Sequence, residues 1–232
     1  AEDGPDPAPL LASLRRECQR LARWRFAVIQ SLVHAEDVLV GHAEATAASA
    51  AVHEALERGG VPAAWKTAGD GAWNSAGSSL EAWLQGAAER SSFLRHWAGC
   101  ASQGLAPTSF WLDALLRPDD LLVALRQHRA RRSGIELDMI HIAVRPTTHA
   151  SPAKPWDLGE LTSEDVQPPA EGIFVHGLAL LRAGWDNRLG LCEPAPGHHP
   201  GACWLPLLRL VPVTAPEHEE QFQPAPVYRC PV

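Results

Sequence analysis

The most chemically suggestive residues lie late in the chain. Cys192, His198, His199 and Cys203 fall within twelve residues of one another. Cysteine thiolates and histidine nitrogens are the usual ligands of zinc. The segment has no Cys-x-x-Cys pair, however, and Pro194, Pro196, Pro200 and two glycines interrupt it. That pattern reads better as a solvated loop with incidental histidines than as a metal site. His96 and Cys100 stand four residues apart on a helix end, the spacing at which a thiol and a base could meet. A packed cysteine beside a surface histidine is the simpler reading. His176, inside Gly-Ile-Phe-Val-His-Gly-Leu, is expected to be a hydrogen-bonded structural histidine of a strand rather than a base.

Phosphate chemistry has no support. Gly69-Asp70-Gly71 is a glycine-rich stretch without the following lysine of a phosphate loop, and reads as a turn. No Gly-x-Ser-x-Gly nucleophile turn occurs. The sequence therefore nominates no catalytic residue, no cofactor-binding residue and no metal ligand set, and no cofactor is expected in it. Glu217-His218-Glu219-Glu220 lies between prolines and reads as a solvated acidic loop. Arg126, Arg129, Arg131 and Arg132 could dock on an acidic surface, or form the exposed face and cap of a helix.

These residues need elements to hold them, and proline divides the 232-residue chain. Residues 1–145 hold six prolines and residues 146–232 hold fourteen. Proline is excluded from helix interiors and central strands. The first half can be helical, and the second must be short strands joined by loops. Apolar residues at helical spacing (Leu14, Leu21, Val28 or Ile29, Leu32, Leu39) predict a helix over 10–40, ended by Gly41. An alanine-rich helix over 43–58 follows, stopped by Gly59, Gly60 and Pro62. A third starts at Ser78 or Ser79 with the apolar face Leu80, Trp83, Leu84, Ala87, Phe93 or Leu94, Trp97. A short helix is expected over Ser-Phe-Trp-Leu-Asp-Ala-Leu-Leu (109–116). Pro118-Asp119-Asp120 then opens a helix closed by arginines, as the helix dipole favours. Beyond Gly134, Glu-Leu-Asp-Met-Ile-His-Ile-Ala-Val, Gly172–Leu180, Trp204–Leu205, Leu207–Val213 and Val227–Cys230 read as strands. The expected organisation is a linker at 1–9, helices over 10–134 and a β-rich part over 135–232. Trp65, Trp83, Trp97, Trp111, Trp185 and Trp204 are expected in the core.

Hydrophobic residues make up 46% and charged residues 20%, an ordinary balance for a folded globular protein. The net charge of -7 argues against a nucleic-acid binder, and no apolar run approaches membrane-spanning length. Five irregularly spaced cysteines suggest free thiols in an intracellular protein. The first residues, Ala-Glu-Asp-Gly-Pro-Asp-Pro-Ala-Pro, lack the layout of a secretory signal and read as a linker or a cut inside a longer polypeptide.

The order of short motifs resembles the C-terminal region of dynein heavy chains. Val61-Pro62-Ala63-Ala64-Trp65 resembles the family's "VPxxW", and Leu94-Arg95-His96-Trp97 its "L..W". Pro107-Thr108-Ser109-Phe110-Trp111-Leu112 is similar to "P..FWL". Leu122–Arg131 resembles "FLTAVLQ..AR", and Ile135–Asp138 resembles "I.ID". Glu171–Leu178 resembles "DGVYVHGLFL", with Trp185-Asp186 as its "WD". Cys192-Glu193-Pro194 and Pro226-Val227-Tyr228-Arg229 resemble two later motifs. The resemblance runs from about Glu17 onwards. It departs from the family after Trp111, where Asp113–Arg117 replaces a phenylalanine-rich stretch, and before Trp185, where the arginine has moved.

This resemblance implies an α+β fold of N-terminal helices followed by an incomplete antiparallel β-barrel. It implies a non-catalytic structural and regulatory module that packs on the ATPase ring of the same heavy chain. Through the parent protein it implies dynein subunits and microtubules as partners, with no nucleic acid and no membrane, in the axoneme of a cilium or flagellum. Two alternatives stand beside it: a dynein-derived scaffold without motor activity, and a zinc- or thiol-dependent enzyme using the 192–203 cluster.

Overall fold

The computed structural model describes residues 8–68, 79–107, 109–147, 171–181, 184–186, 190–192 and 202–214. Five α-helices come first: α1 (Ala8–Val40), α2 (Ala47–Glu57), α3 (Ala63–Thr67), α4 (Leu80–Ser102) and α5 (Pro118–Ser133). The strands are β1 (Ser109–Trp111), β2 (Ile140–Pro146), β3 (Ile173–His176), β4 (Ala179–Leu181), β5 (Gly184–Asp186), β6 (Gly190–Cys192), β7 (Ala202–Trp204) and β8 (Leu208–Thr214). Two compact units result. One comprises Ala12–Gly99 with Ala114–Arg117, and the other holds Cys100–Asp113, α5 and the strands.

The helix ends follow local chemistry. α1 stops at Gly41, which takes φ +84. The Thr46 hydroxyl accepts from the Ser49 N–H at 3.1 Å while the Thr46 N–H donates to Ser49 Oγ at 2.9 Å, a reciprocal cap that starts α2. Thr46→Ala is expected to lower stability by about 1 kcal/mol, read by urea denaturation. Ser79 Oγ accepts from the Ala82 N–H at 3.2 Å and starts α4. α5 carries Asp119 and Asp120 in its first turn and Arg131 and Arg132 in its last, as its sequence predicts.

The core of the helical unit is built on tryptophan. The indoles of Trp24 and Trp83 lie 5.1 Å apart and those of Trp65 and Trp83 5.8 Å apart. Trp24 Nε1 donates to the Trp65 carbonyl at 3.0 Å, and Trp65 Nε1 to Ser31 Oγ at 2.7 Å. Tryptophan can be buried this deeply when its N–H finds an acceptor. Val28, Ala35, Val52 and Ala87 complete the cluster. Of the six expected core tryptophans, Trp65, Trp83, Trp97 and Trp111 are buried, while Trp204 is 61% exposed. Trp185 has no described side chain. Leu84, Ile29, Leu32 and Leu39 are also exposed, contrary to their expected place on a buried face. The inward stripe of α1 keeps the expected Leu14 and Val28 and is completed by Glu17, Trp24 and Ala35.

The β-rich part corrects three expectations. Ser109-Phe110-Trp111 is a strand, not the start of a helix, and Leu112–Ala114 is one 3₁₀ turn. The incomplete antiparallel β-barrel is not what the described strands form. They make an open four-stranded sheet in the order β1-β3-β8-β2, plus two separate pairs, β4–β7 and β5–β6. β1 pairs with β3 in parallel, whereas β8 runs antiparallel to both β2 and β3. Glu136–Met139 is not strand either: Leu137–Met139 is a 3₁₀ turn, and β2 begins at Ile140. The mixed α+β class stands.

Candidate functional site

Two of the motifs described above, Pro107–Leu112 and Glu171–Leu178, meet at the β1–β3 pair. The register places Ser109 opposite Phe174, Phe110 opposite Val175 and Trp111 opposite His176. Phe110 and Val175 are fully buried. Ser109 Oγ lies 2.7 Å from His176 Nδ1, and both residues are buried. A hydroxyl can donate or accept, so it satisfies a ring nitrogen that the sheet removes from water. His176 thus has the role expected of it, a hydrogen-bonded histidine within the sheet. Ser109→Ala is expected to lower stability by about 1–3 kcal/mol by leaving that buried nitrogen without its hydroxyl. Equilibrium denaturation of the parent and variant proteins checks this.

Gly177 completes the junction. It takes φ +80, and a Cβ there would lie 2.3 Å from Trp111 Cδ1 and 2.6 Å from Trp111 Nε1. The indole therefore lies directly on the glycine, and a side chain at 177 would displace it. Trp111 and Gly177 thus each supply half of a single packed contact.

A second network holds the start of β3. Arg129 Nη1 pairs with Glu171 Oε1 at 2.9 Å. Arg209 donates to the Glu171 carbonyl through Nε at 3.3 Å and Nη2 at 3.0 Å. Arg126 donates from Nε to the Ile140 carbonyl at 2.7 Å and from Nη2 to the Leu137 carbonyl at 2.6 Å. So Arg126 and Arg129 serve the fold of their own unit, while Arg131 and Arg132 are exposed.

The third arrangement is a buried carboxylate on α1. Glu17 Oε1 accepts from Arg20 Nη1 at 2.6 Å and from the Arg117 N–H at 3.2 Å, and Glu17 Oε2 accepts from the Leu116 N–H at 2.7 Å. These are charge-assisted bonds, stronger than neutral ones. They tie residues 114–117 to α1 just before α5 begins.

The thiols of Cys18 and Cys100 are both pushed up by burial, Cys18 further by the Glu17 charge beside it, so both hold less thiolate than an ordinary cysteine. His96 is exposed and Cys100 half-buried on the last turns of α4. Among the described residues no group of three or more His, Cys, Asp and Glu could hold a metal ion. His198 and His199 lie outside the described residues. Cys192 is placed by its backbone in β6, and Cys203 is half-buried in β7 opposite Leu180. Gly69-Asp70-Gly71, Glu217–Glu220 and the strand expected at 227–230 also lie outside them. No described helix is long and apolar enough to cross a membrane.

Comparison with known proteins agrees with the motif order. The family model for the C-terminal domain of dynein heavy chains matches residues 2–232. The dynein alpha chain of the flagellar outer arm of Chlamydomonas reinhardtii is 33% identical over 156 residues, 66% of this chain. Human dynein axonemal heavy chain 2 is 27% identical over 186 residues, 79% of this chain. The dynein beta chain of the Chlamydomonas reinhardtii flagellar outer arm is 27% identical over 224 residues, 97% of this chain. The present sequence spans only 3–4% of the length of these relatives. The match covers both motif blocks and the β1–β3 junction that joins them, and the protein belongs to the family of C-terminal domains of dynein heavy chains.

Proposed function

We propose that this protein is the non-catalytic structural and regulatory C-terminal module of an axonemal dynein heavy chain. It packs on the ATPase ring of its own heavy chain, within a minus-end-directed microtubule motor that drives ciliary or flagellar movement. The observation that carries this reading is the family match over residues 2–232, together with relatives named as flagellar and axonemal dyneins. The absence from the sequence of a phosphate-loop lysine supports a non-catalytic role, since nucleotide hydrolysis by a motor ring needs that group. The buried Glu17, Ser109 and His176 support it too, because their polar atoms are engaged in internal bonds. Microtubules, other dynein subunits and the axonemal location follow from the same reading.

The test is to compare the full-length heavy chain with one lacking this module. The expected result is a changed gliding velocity and microtubule-stimulated ATPase rate, with nucleotide binding retained by the truncated protein. Loss of saturable ATP binding on removing the module would overturn the non-catalytic reading. A full-length heavy chain without any microtubule-stimulated ATPase would instead favour a scaffold descended from a motor. Stoichiometric zinc in the purified protein, lost when Cys192 and Cys203 are replaced by serine, would favour the metal reading of the 192–203 segment.

A further inference from the structure

β2 lies at the edge of the four-stranded sheet and pairs with β8 on one side only. Just past that ladder, the Thr147 N–H donates to the Leu207 carbonyl at 3.0 Å. In an antiparallel pair, successive residues turn their N–H and C=O alternately toward and away from the neighbour. Thr147, Arg145, Ala143 and His141 therefore turn theirs toward β8, where the last three stand opposite Arg209, Val211 and Val213. Ile142, Val144 and Pro146 turn theirs the other way. Proline has no N–H to give, so Pro146 stands where the β8 ladder asks for none.

α5 closes one end of this edge. Arg126 Nε donates to the Ile140 carbonyl at 2.7 Å and satisfies it. Beyond that point, Ile142 and Val144 each offer one N–H and one C=O that have no partner among the described residues. Val144 is 56% exposed. A strand edge with unmet donors and acceptors is a template for an added strand.

The side chains select what can be added. His141, Ala143 and Arg145 share one face of the sheet with Arg209, Val211 and Val213. On that face Arg145 stands directly opposite Arg209, an arrangement of like charges that strand pairs disfavour. β2 and β8 together carry Arg145, Arg209 and His141 and no Asp or Glu. The other face of the edge offers the apolar Ile142 and Val144. A complementary strand is thus acidic at alternate positions and apolar between them. A second copy of β2 does not match. Paired antiparallel about Ala143, it would set Arg145 of one copy beside His141 of the other and bring no carboxylate.

We infer that the β2 edge from Ile142 to Pro146 binds an extended segment of a separate polypeptide as an added strand. The segment places carboxylates beside Arg145 and His141 and apolar side chains beside Ile142 and Val144. Main-chain bonds supply the affinity, and the alternating side chains supply the selection.

The test uses the full-length heavy chain and a dye-labelled synthetic peptide, Asp-Val-Thr-Val-Asp, whose symmetric order suits either strand direction. Fluorescence anisotropy is expected to show saturable binding, with Lys-Val-Thr-Val-Lys bound about tenfold more weakly. Val144→Pro removes an edge N–H that β8 does not use, and should weaken the acidic peptide by about tenfold. Arg145→Glu should reverse the preference, so that the lysine peptide binds more tightly than the acidic one. A sheet that simply failed to fold would not produce that reversal. No saturable binding of the acidic peptide, equal affinity for the two peptides, or binding unaffected by both substitutions would overturn the inference. So would self-association of the heavy chain in sedimentation that Val144→Pro abolishes, since the edge would then pair with its own kind.

Discussion

Replacing Gly172 with alanine should destabilise the sheet by about 3–5 kcal/mol, among the largest effects of any single substitution in the protein. Gly172 sits at φ +82, where a Cβ is strained in any surroundings. Here a Cβ would also lie 2.0 Å from the Leu210 carbonyl oxygen and 3.1 Å from Val211 Cα. Both are backbone atoms of β8, which is hydrogen-bonded to β3 on one side and β2 on the other and cannot yield. Gly41 provides the control. It has φ +84 but nothing within 4 Å of its Cβ position, so Gly41→Ala should cost about 1–2 kcal/mol from backbone strain alone. Urea denaturation of both variants measures the difference. Equal losses would mean that the close approach to β8 contributes nothing.

Glu17→Ala should cost about 3–5 kcal/mol, the usual consequence of breaking a buried ion pair from one side. The change removes the carboxylate that pairs with the Arg20 guanidinium, only 10% exposed, and the acceptor of the Leu116 and Arg117 N–H groups. Glu17→Gln keeps a carbonyl oxygen for one of those donors and should cost less. Hydrogen exchange reads the mechanism directly. The amides of residues 116 and 117 should lose protection in Glu17→Ala far more than the amides in the middle of α4. Unchanged exchange at both positions would show that the carboxylate does not hold them.

How much of this was legible in the sequence depends on the distance over which each interaction acts. α5 was readable to within a residue because its signals are local: proline and two aspartates at one end, arginines and then Gly134 at the other. The end of α1 at Gly41 and the Ser79 cap of α4 were local as well. The alanine-rich stretch from 43 misled about α2, because Thr46 with Ser49 sets its start regardless of the propensity before it. β1 was missed for a different reason. Three residues, Ser-Phe-Trp, contain no periodicity, and their strand conformation comes from partners in β3 sixty-five residues later. The expectation of an incomplete antiparallel β-barrel is not supported by the described strands, whose β1–β3 pair is parallel and whose four-stranded sheet is open. Glu17 was invisible as a structural residue because its donors, Leu116 and Arg117, lie about one hundred residues away. For His176 the structural role was readable from its place in a strand, but its partner Ser109 was not. The α1 face was misread because Ile29, Leu32 and Leu39 fit helical spacing as well as the truly buried residues do. A helix with two apolar faces does not reveal which one its own unit covers.

The β1–β3 pairing also sets an order of events. Helices close contacts between near neighbours and form early, whereas strands distant in sequence must wait for a long loop to close. β1 is in place only when β3 arrives, and β3 is held by β8, nearer the end of the sequence. During synthesis from the N-terminus, the tryptophan cluster of Trp24, Trp65 and Trp83 can assemble while residues 109–111 have no strand to join. The sheet is therefore expected to be the slow, late step of folding, which pulse-labelled hydrogen exchange would read as later protection of β3 and β8 than of α4. Until Leu208–Thr214 has emerged, Phe110 and Trp111 remain without their partners, and that interval is when the nascent polypeptide is most exposed to aggregation.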